Sequence, residues 1–319
     1  MPRGLFMPNQ PIPFQPNSKP GERCEACGRN EDPTKLVICD SCDNGCHLAC
    51  TDPPIKSSAS GWHCHKCLVG TGEFGFQEGG IYCLRQFQEK ANKFKEEYFA
   101  SRTPPDPISN TTRQPSEDEI EREFWRLVES LTETVEVEYG ADIHSTTHGS
   151  GFPDVERNSS SSYAKDPWNL NVLPLHPESL FKHIKSDISG MTVPWLYVGM
   201  VFSTFCWHNE DHYTYSANYQ HFGSTKTWYG IPGADAERFE QAMKQAVPEL
   251  FEQQPDLLFQ LVTLLPPDQL KKAGVNVYAL DQRAGQFVIT FPQAYHAGFN
   301  HGFNFNEAVN FAPLSLIHI

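Results

Sequence analysis

Eight side chains that commonly bind metals lie in four close pairs before residue 70. The pairs are Cys24-x2-Cys27, Cys39-x2-Cys42, His47-x2-Cys50 and Cys64-x2-Cys67. This spacing is typical of structural zinc sites, and eight ligands are enough for two closed tetrahedral sites. Disulfides are the alternative, but they need an oxidising compartment and do not explain why a histidine follows the same spacing. We therefore expect two zinc ions in this segment.

A second group of residues suits a different metal. His208-x-Glu210 follows a β-like segment, where alternation places both side chains on one face, and His296 follows a later strand-like segment. Two histidines and one carboxylate with open coordination positions form the facial triad of non-haem Fe(II) oxygenases. The spacing alone is weak evidence because the chain has 13 histidines, most of which we interpret as surface or core groups.

Polar residues between these ligands strengthen the iron hypothesis. Lys226 and Trp228 share one face of a predicted strand, and Ser216 and Asn218 share a face of another. A buried ammonium group is costly unless an anion pairs with it. A dicarboxylate that chelates the iron at one end would be that anion. The alternative, an exposed strand lysine, is the commoner fate of lysines.

The hydrophobic pattern predicts the elements that position these residues. Helices are expected at residues 85–99 and 116–131, followed by a strand-like run at 133–142. Five later segments are short, aromatic and β-branched, as strands are: 195–208, 214–223, 225–232, 285–292 and 308–312. Residues 234–272 predict two or three helices. An antiparallel barrel or sandwich with a helical insert fits this order.

Charge and composition exclude several classes of function. The 319 residues include 25 Lys and Arg against 39 Asp and Glu, a formal net charge of −14. This charge opposes direct binding to nucleic acid and favours a basic partner such as a cationic peptide. The longest apolar stretch, Thr192 to Trp207, is too short and too interrupted to cross a bilayer. Prolines near the N-terminus also exclude a signal peptide, so we expect no membrane association.

The cysteine-rich segment resembles a PHD finger over residues 24–67. The resemblance rests on the order of four cysteines, one histidine and three cysteines, with Trp62 two residues before the last pair. It implies interleaved ligands, with one zinc bound by Cys24, Cys27, His47 and Cys50 and the other by Cys39, Cys42, Cys64 and Cys67. PHD fingers commonly bind histone H3 tails, so the resemblance implies the H3 tail as a partner.

The acidic residues of this finger favour an unmethylated tail. Readers of trimethyl-lysine need two or more aromatic faces, but Trp62 is the only Phe, Tyr or Trp between residues 21 and 70. Asp32, Asp40 and Asp43, with Glu31, instead offer carboxylates to an unmodified lysine, an arginine or an N-terminal amine. Solubility alone is the alternative explanation of these acids.

Two longer segments closely resemble the JmjC domain of the JARID subfamily of histone lysine demethylases. They are WLYVGMVFSTFCWHNEDHYTYSANYQHFGSTKTWYGIPG and FPQAYHAGFNHGFNFNEAVNF, and EFWRLVES and VEYGADIHSTTHGSGFP extend the resemblance upstream. It spans roughly residues 21–313 and includes the finger in the subfamily's order. The implied fold is mainly β with α, a cupin-like double-stranded β-helix (jelly roll) with helical additions, plus the small zinc-bound PHD finger.

The resemblance assigns roles to residues at matching positions. His208, Glu210 and His296 would bind Fe(II), and Lys226 and Asn218 would hold 2-oxoglutarate. The 2-oxoglutarate pocket would be lined by Tyr139, Phe205, Ser216 and Trp228. The methyl-lysine would lie near Tyr197 and Asn300. The implied activity is demethylation by hydroxylation of di- and trimethylated lysine at the fourth residue of histone H3, in the nucleus and within a chromatin-associated complex.

The expected domains are a flexible tail (1–20), the PHD-type finger (21–70), a helical connector with the first strand of the catalytic region (71–161) and the JmjC domain (162–319). The subfamily normally also has JmjN and ARID modules and a C-terminal zinc-binding region. We expect a truncated C-terminal end, because the sequence no longer follows the family after Phe311. Two alternatives stay open at this point: an inactive fragment that only binds the histone tail, and a JmjC protein hydroxylase.

Overall fold

The computed structural model divides the chain into two compact units, residues 1–77 and 78–319. It describes residues 24, 27, 29, 35–39, 44–51, 55, 62, 64, 77–105, 113–130, 132–158, 160–253, 257–260 and 262–318. The expected tail at residues 1–20 lies outside the described residues.

The first unit contains a short antiparallel ribbon. Strand β1 (Leu36–Ile38) pairs with β2 (Gly45–His47), with Leu36 opposite His47. Cys24, Val37 and Cys46 form its small buried cluster. So small an apolar cluster provides little folding free energy, as expected for a fold that depends on bound metal.

Two long helices open the second unit. Helix α1 spans Leu84–Ala100 and α2 spans Glu117–Val128, which confirms both predicted helices. Ser116 caps α2: its hydroxyl accepts from Glu119 N at 3.3 Å, and the Glu119 carboxylate accepts from Ser116 N at 2.8 Å. Helix α2 ends before the expected residue 131, and Leu131 lies outside the described residues.

Two antiparallel sheets form the body of the second unit. The five-stranded sheet has the order β3-β4-β11-β6-β9, and the four-stranded sheet has the order β5-β10-β7-β8. The strands are β3 (Gly140–His144), β4 (Trp195–Gly199), β5 (Thr204–His208), β6 (Tyr215–Gly223), β7 (Lys226–Gly230), β8 (Tyr278–Gln282), β9 (Phe287–Thr290), β10 (His296–Asn300) and β11 (Asn304–Phe311). This is the expected double-stranded β-helix with helical additions.

Shorter helices connect and cover the strands. They are α3 (Ser145–His148), α4 (Ala236–Ala246), α5 (Pro248–Gln253) and α6 (Pro267–Lys272). Single 3-10 turns lie at Ser162–Lys165, Leu173–Leu175, Leu180–His183, Asp211–Tyr213, Gly233–Asp235, Leu257–Gln260 and Leu314–His318. The prediction of two or three helices in residues 234–272 is therefore confirmed. None of the described helices has the length and apolar character that crossing a bilayer requires.

Helices α1, α2 and α4 pack against the strands. In α1, Phe87 and Ala91 belong to one buried cluster with Val198 of β4 and Met200, which follows β4. In α2, the Phe124 ring stacks on Phe299 of β10 with centroids 4.1 Å apart. In α4, the Phe239 ring lies 5.4 Å from that of Trp207 in β5. The strands that carry the predicted metal ligands are thus supported from outside the barrel.

The expected strand at residues 133–142 is largely wrong, because the strand begins only at Gly140. The preceding residues run along α1 instead. Val137 packs against the apolar cluster that contains Phe87, and Glu138 forms an ion pair with Lys90 at 2.6 Å. The alternating apolar and polar residues before Gly140 therefore reflect a segment with one side packed against α1, and not a strand of the sheet.

Candidate iron and co-substrate site

The three predicted iron ligands meet at one end of the four-stranded sheet. His208 ends β5, His296 begins β10, and the two are cross-strand partners. Glu210 follows two residues after β5. The potential ligand atoms of all three lie within 4.8 Å of one another, and His296 Nε2 is 3.3 Å from Glu210 Oε1. Strand pairing thus brings together residues that are distant in sequence.

Backbone carbonyl groups fix both imidazole rings. His208 Nδ1 donates to the Cys206 carbonyl at 2.8 Å, and His296 Nδ1 donates to the Ala294 carbonyl at 3.0 Å. A carbonyl can only accept, so Nδ1 carries the proton in each ring and the Nε2 lone pair is available for a metal. These hydrogen bonds from Nδ1 to backbone carbonyl groups could not be predicted from the sequence.

The charge states of the ligands suit a divalent cation. Burial, helped by the nearby His296, lowers the pKa of His208 to about 4, so its ring is neutral at physiological pH. Burial raises the pKa of Glu210, but the neighbouring His296 and His208 outweigh this and lower it to about 2, so the carboxylate is ionised. Imidazole and carboxylate donors with open positions fit Fe(II).

The backbone is strained on both sides of this cluster. His212 (φ 54°) and Tyr213 (φ 51°) follow Glu210, and Gln293 (φ 62°) precedes His296. Residues with side chains rarely adopt these left-handed conformations, and such strain is concentrated at functional sites. The turns next to Glu210 and His296 thus contain backbone conformations that residues with side chains usually avoid.

Lys226 lies inside the barrel and is only 1% exposed, so the alternative of an exposed strand lysine is wrong. Its Nζ donates to the Tyr139 hydroxyl at 3.2 Å and lies 5.1 Å from the Phe205 ring centroid. No carboxylate in the described part of the chain forms an ion pair with it, and burial lowers its pKa to about 7. An enclosed ammonium group with only neutral neighbours fits a site that receives an anion.

Aromatic contacts connect Lys226 to the metal ligands. The Trp228 ring lies 4.7 Å from Phe205 and 5.9 Å from His296, measured between centroids. Ser216 Oγ lies 2.5 Å from Thr290 Oγ1. Phe205 and Trp228 thus form a continuous path of contacts between the ammonium group and the ligand cluster.

The first unit holds the other candidate metal site. The ligand atoms of Cys24, Cys27, His47 and Cys50 lie within 4.8 Å of one another, which is the first of the two interleaved sets. For the second set, Cys64 N donates to Cys39 Sγ at 3.2 Å. Cys42 and Cys67 lie outside the described residues, as do Glu31, Asp32, Asp40 and Asp43.

Comparison with known proteins agrees with this geometry. The PHD-finger family model matches residues 24–67, and the model described as "JmjC domain, hydroxylase" matches residues 195–311. The chain is 51% identical over 300 residues to lysine-specific demethylase 5D of Homo sapiens and 50% identical over 300 residues to that of Pan troglodytes, covering 90% of this chain and 19% of each relative. It is 49% identical over 303 residues to lysine-specific demethylase 5B of Gallus gallus, covering 91% of this chain and 19% of that protein.

The chain therefore contains a PHD finger and a JmjC domain, and over about 90% of its length it is similar to lysine-specific demethylases 5D and 5B. It spans about a fifth of the length of the relatives named above. The matched JmjC region begins at the first residue of β4 and ends at the last residue of β11. The cofactors expected from the sequence are those of its two domains: Fe(II) and 2-oxoglutarate for JmjC, and zinc for the PHD finger.

The two predicted substrate residues of the JmjC domain differ in their surroundings. Tyr197 is half-buried, its ring centroid lies 6.2 Å from that of Tyr139, and its hydroxyl donates to Asp142 Oδ1 at 2.9 Å. Asn300 is fully buried, and its Nδ2 donates to Ser203 Oγ at 2.9 Å. Tyr197 therefore lies where a ligand could reach it, whereas Asn300 is enclosed.

Several polar residues of the JmjC site were missed by sequence reasoning. Asn310 Nδ2 donates to Glu210 Oε2 at 3.0 Å, and Asp142 accepts from Tyr197. Gln282 and Asn306 contact Asn218 in the barrel interior. A signal was present in β11, where asparagine recurs at positions 304, 306 and 310. Polar residues at this spacing share one face of a strand.

Proposed function

We propose that this chain is an Fe(II)- and 2-oxoglutarate-dependent dioxygenase that demethylates tri- and dimethylated lysine at the fourth residue of histone H3. The observation that carries the proposal is the buried ammonium group of Lys226, which has no ion-pair partner among the described residues and lies near a complete His-Glu-His cluster. The names of the relatives, lysine-specific demethylases, support methylated lysine as the target.

In this proposal, Lys226 and Asn218 hold the distal carboxylate of 2-oxoglutarate. Tyr139, Phe205, Ser216 and Trp228 line the pocket and exclude water from it. Fe(II) with 2-oxoglutarate and dioxygen supplies the oxidation that hydroxylates an N-methyl group, and the resulting hemiaminal loses formaldehyde. The side chains of the barrel bind and orient the reactants, which is the protein's contribution to the rate.

The methylated lysine would approach past Tyr197. The Tyr139 and Tyr197 rings and the Asp142 carboxylate are neighbours, a combination that attracts an alkylated ammonium group. Asn300 would support this region from inside the barrel. Because hydroxylation at carbon needs no amine lone pair, a trimethylated lysine is a suitable substrate.

The PHD finger would hold the H3 tail, with Asp32, Asp40 and Asp43 contacting its basic groups. Such binding keeps the enzyme close to its product and to further substrate. This role implies a nuclear location within a chromatin-associated complex. We also retain the proposed division into a finger (21–70), a connector (71–161) and a JmjC domain (162–319).

Incubation with a methylated peptide tests the activity. The purified chain is mixed with Fe(II), ascorbate, 2-oxoglutarate and an H3 tail peptide trimethylated at its fourth residue, and the peptide mass is followed. We expect stepwise loss of methyl groups with this chain and no loss with His208→Ala. An unchanged peptide, with a chain that is folded and iron-loaded, would contradict the proposal and favour a tail-binding protein. A stable gain of oxygen would favour a protein hydroxylase.

A further inference from the structure

Four buried side chains form a polar network across the barrel interior. Asn218 lies on β6 and Asn306 on β11 in the five-stranded sheet, whereas Trp228 lies on β7 and Gln282 on β8 in the four-stranded sheet. All four are less than 10% exposed, and Gln282 is 1% exposed. Gln282 is also the cross-strand partner of Lys226, so the network begins next to the buried ammonium group.

The orientation of Gln282 is fixed by partners that can each play only one role. Trp228 Nε1 can only donate, and it does so to Gln282 Oε1 at 2.9 Å. The backbone carbonyl groups of Asn218 and Gln286 can only accept, and Gln282 Nε2 donates to them at 3.0 and 3.1 Å. Turning the Gln282 amide by half a revolution would break all three bonds.

Gln282 in turn determines the orientation of Asn218. Gln282 Nε2 donates to Asn218 Oδ1 at 3.2 Å, and Asn306 Nδ2 donates to the same oxygen at 2.9 Å. Asn306 Nδ2 also donates to Gln282 Oε1 at 3.2 Å. Two donors therefore hold the carbonyl oxygen of Asn218 on the network side.

The amino group of Asn218 is left available by this arrangement. Among the described residues, Asn218 Nδ2 donates no hydrogen bond, whereas Asn218 Oδ1 accepts two. An amide with its oxygen fully engaged and its N–H groups free is prepared to donate to an anion. In the opposite orientation the amide oxygen would face that anion, and the two acceptors would repel each other.

We propose that Gln282 and Asn306 are positioning residues that hold the Asn218 amide with its NH2 group toward the co-substrate carboxylate, and that they thereby set the affinity for 2-oxoglutarate. This inference rests on the proposed function, because the same pocket receives the dicarboxylate. Neither residue needs to touch 2-oxoglutarate. Both act through Asn218, so their effect on 2-oxoglutarate affinity requires the Asn218 side chain.

A double-mutant cycle tests this dependence. Gln282→Met and Asn306→Ala are each made in the natural chain and in an Asn218→Ala background, and 2-oxoglutarate binding is measured by calorimetry with Mn(II) in place of Fe(II). In the natural chain we expect each variant to weaken 2-oxoglutarate binding about tenfold, the size of one charge-assisted hydrogen bond. In the Asn218→Ala background we expect a further change of less than about twofold.

Two further measurements separate positioning from a general loss of structure. Mn(II) affinity without 2-oxoglutarate should stay unchanged, because no ligand residue belongs to the network. Asn169→Ala is the matched control: Asn169 is 2% exposed and its Nδ2 donates to the Pro153 and Tyr163 carbonyl groups at 2.8 and 3.0 Å. This variant should lower the melting temperature without changing 2-oxoglutarate affinity.

Opposite results would overturn the inference. If either folded variant, Gln282→Met or Asn306→Ala, binds 2-oxoglutarate as the natural chain does, the replaced residue does not position Asn218 and the inference fails. The inference also fails if the variants weaken 2-oxoglutarate binding equally in the Asn218→Ala background. It fails as well if they weaken Mn(II) binding to the same extent. Either variant suffices if the other fails to fold. A natural chain that binds Mn(II) but not 2-oxoglutarate would instead overturn the proposed function, and the inference with it.

Discussion

Lys226 shows how a single residue links binding to pH. Burial lowers its pKa to about 7, whereas an unfolded lysine stays protonated to much higher pH. The unfolded chain therefore binds more protons above pH 7, and this residue makes the free protein more stable as the pH rises from about 7 to about 10. A carboxylate bound next to Lys226 favours the charged ammonium form and raises its pKa again.

We predict that 2-oxoglutarate binding takes up a proton at Lys226 at about pH 8 and weakens as the pH rises further. Calorimetry in two buffers with different ionisation enthalpies measures the number of protons. Lys226→Met, which cannot be protonated, should bind 2-oxoglutarate poorly and show no proton uptake from this position. The same variant should melt at a higher temperature without 2-oxoglutarate, because a buried cation is removed. Equal proton numbers for both chains would contradict the prediction.

Asn310 provides a second prediction for a single residue. Its Nδ2 donates to Glu210 Oε2 at 3.0 Å and to Thr214 Oγ1 at 3.1 Å, which holds the carboxylate in place. Loss of such an outer contact typically weakens metal binding by roughly 10- to 100-fold. We therefore expect Asn310→Ala to weaken Co(II) binding, measured by titration of its absorption bands. Thr214→Val is the matched control: it removes the second contact and the hydrogen bond from the Thr214 hydroxyl to the Asp211 carbonyl but keeps the contact with Glu210, and it should have a much smaller effect.

Residue types and spacing predicted the ligands but not the residues that orient them. His208, Glu210 and His296 are recognisable because metals restrict the choice of donor. Spacing predicted eight zinc ligands, and the resemblance to a PHD finger implied that Cys24, Cys27, His47 and Cys50 bind the same ion. Asn310, Gln282 and Asn306 were missed because a buried amide has many possible roles. Only their hydrogen-bond partners, which come from other strands, identify which role each has.

At the scale of elements, β10 was the strand most difficult to predict. Its sequence, HAGFN, lacks the β-branched residues by which the other strands were recognised. It is nevertheless fully buried between β5 and β7, so its neighbours rather than its own propensity make it a strand. Strand β8 was missed for a similar reason, whereas α1 and α2 were predicted well because helical periodicity and a capping box are local signals.

Gly298 in β10 allows close packing that no other residue permits. A Cβ atom at this position would lie 2.1 Å from the Thr227 carbonyl oxygen and 2.6 Å from Phe205 Cζ. The register of β10 against β5 also shifts between His296 and Gly298. A side chain here would therefore displace the strand that carries one iron ligand and the ring that contacts Lys226.

We predict that Gly298→Ala destabilises the fold by roughly 1–3 kcal/mol, the usual cost of overpacking, and weakens Co(II) binding. Thermal unfolding and metal titration measure the two effects. Gly230→Ala is the matched control: Gly230 is the β7 partner of His296, and a Cβ atom there would meet no atom within 4 Å. If both variants lose similar amounts of stability and Co(II) affinity, the prediction is contradicted, because this sheet would then be sensitive to glycine replacement in general.

At the scale of the whole molecule, the two compact units differ in what stabilises them. Among its described residues, the first has a small buried cluster of Cys24, Val37 and Cys46 with a few half-buried neighbours, whereas the second contains the apolar cores of the barrel and its helices. Structural zinc contributes on the order of 10 kcal/mol per site in small domains. The stability of the first unit should therefore depend on zinc.

We predict that a zinc chelator unfolds the β1–β2 ribbon and leaves the barrel folded. Hydrogen exchange resolved by peptide should show loss of protection in β1 and β2, with protection retained in β4, β6 and β11. Cys27→Ser should lower the zinc content, measured by atomic emission, whereas Cys83→Ser should not, because Cys83 is exposed and belongs to neither ligand set. Loss of barrel protection at the same chelator concentration would contradict the prediction.

The pairing of His208 with His296 also constrains when the chain can acquire iron during its synthesis. Strands β6 to β9 and the helices of residues 236–272 all lie between these two ligands in the sequence. A nascent chain that has left the ribosome only as far as β9 contains His208 and Glu210 but not the third ligand. The site is therefore completed only when β10 has emerged and inserted between β5 and β7. Iron loading would thus report that β10 has joined the four-stranded sheet.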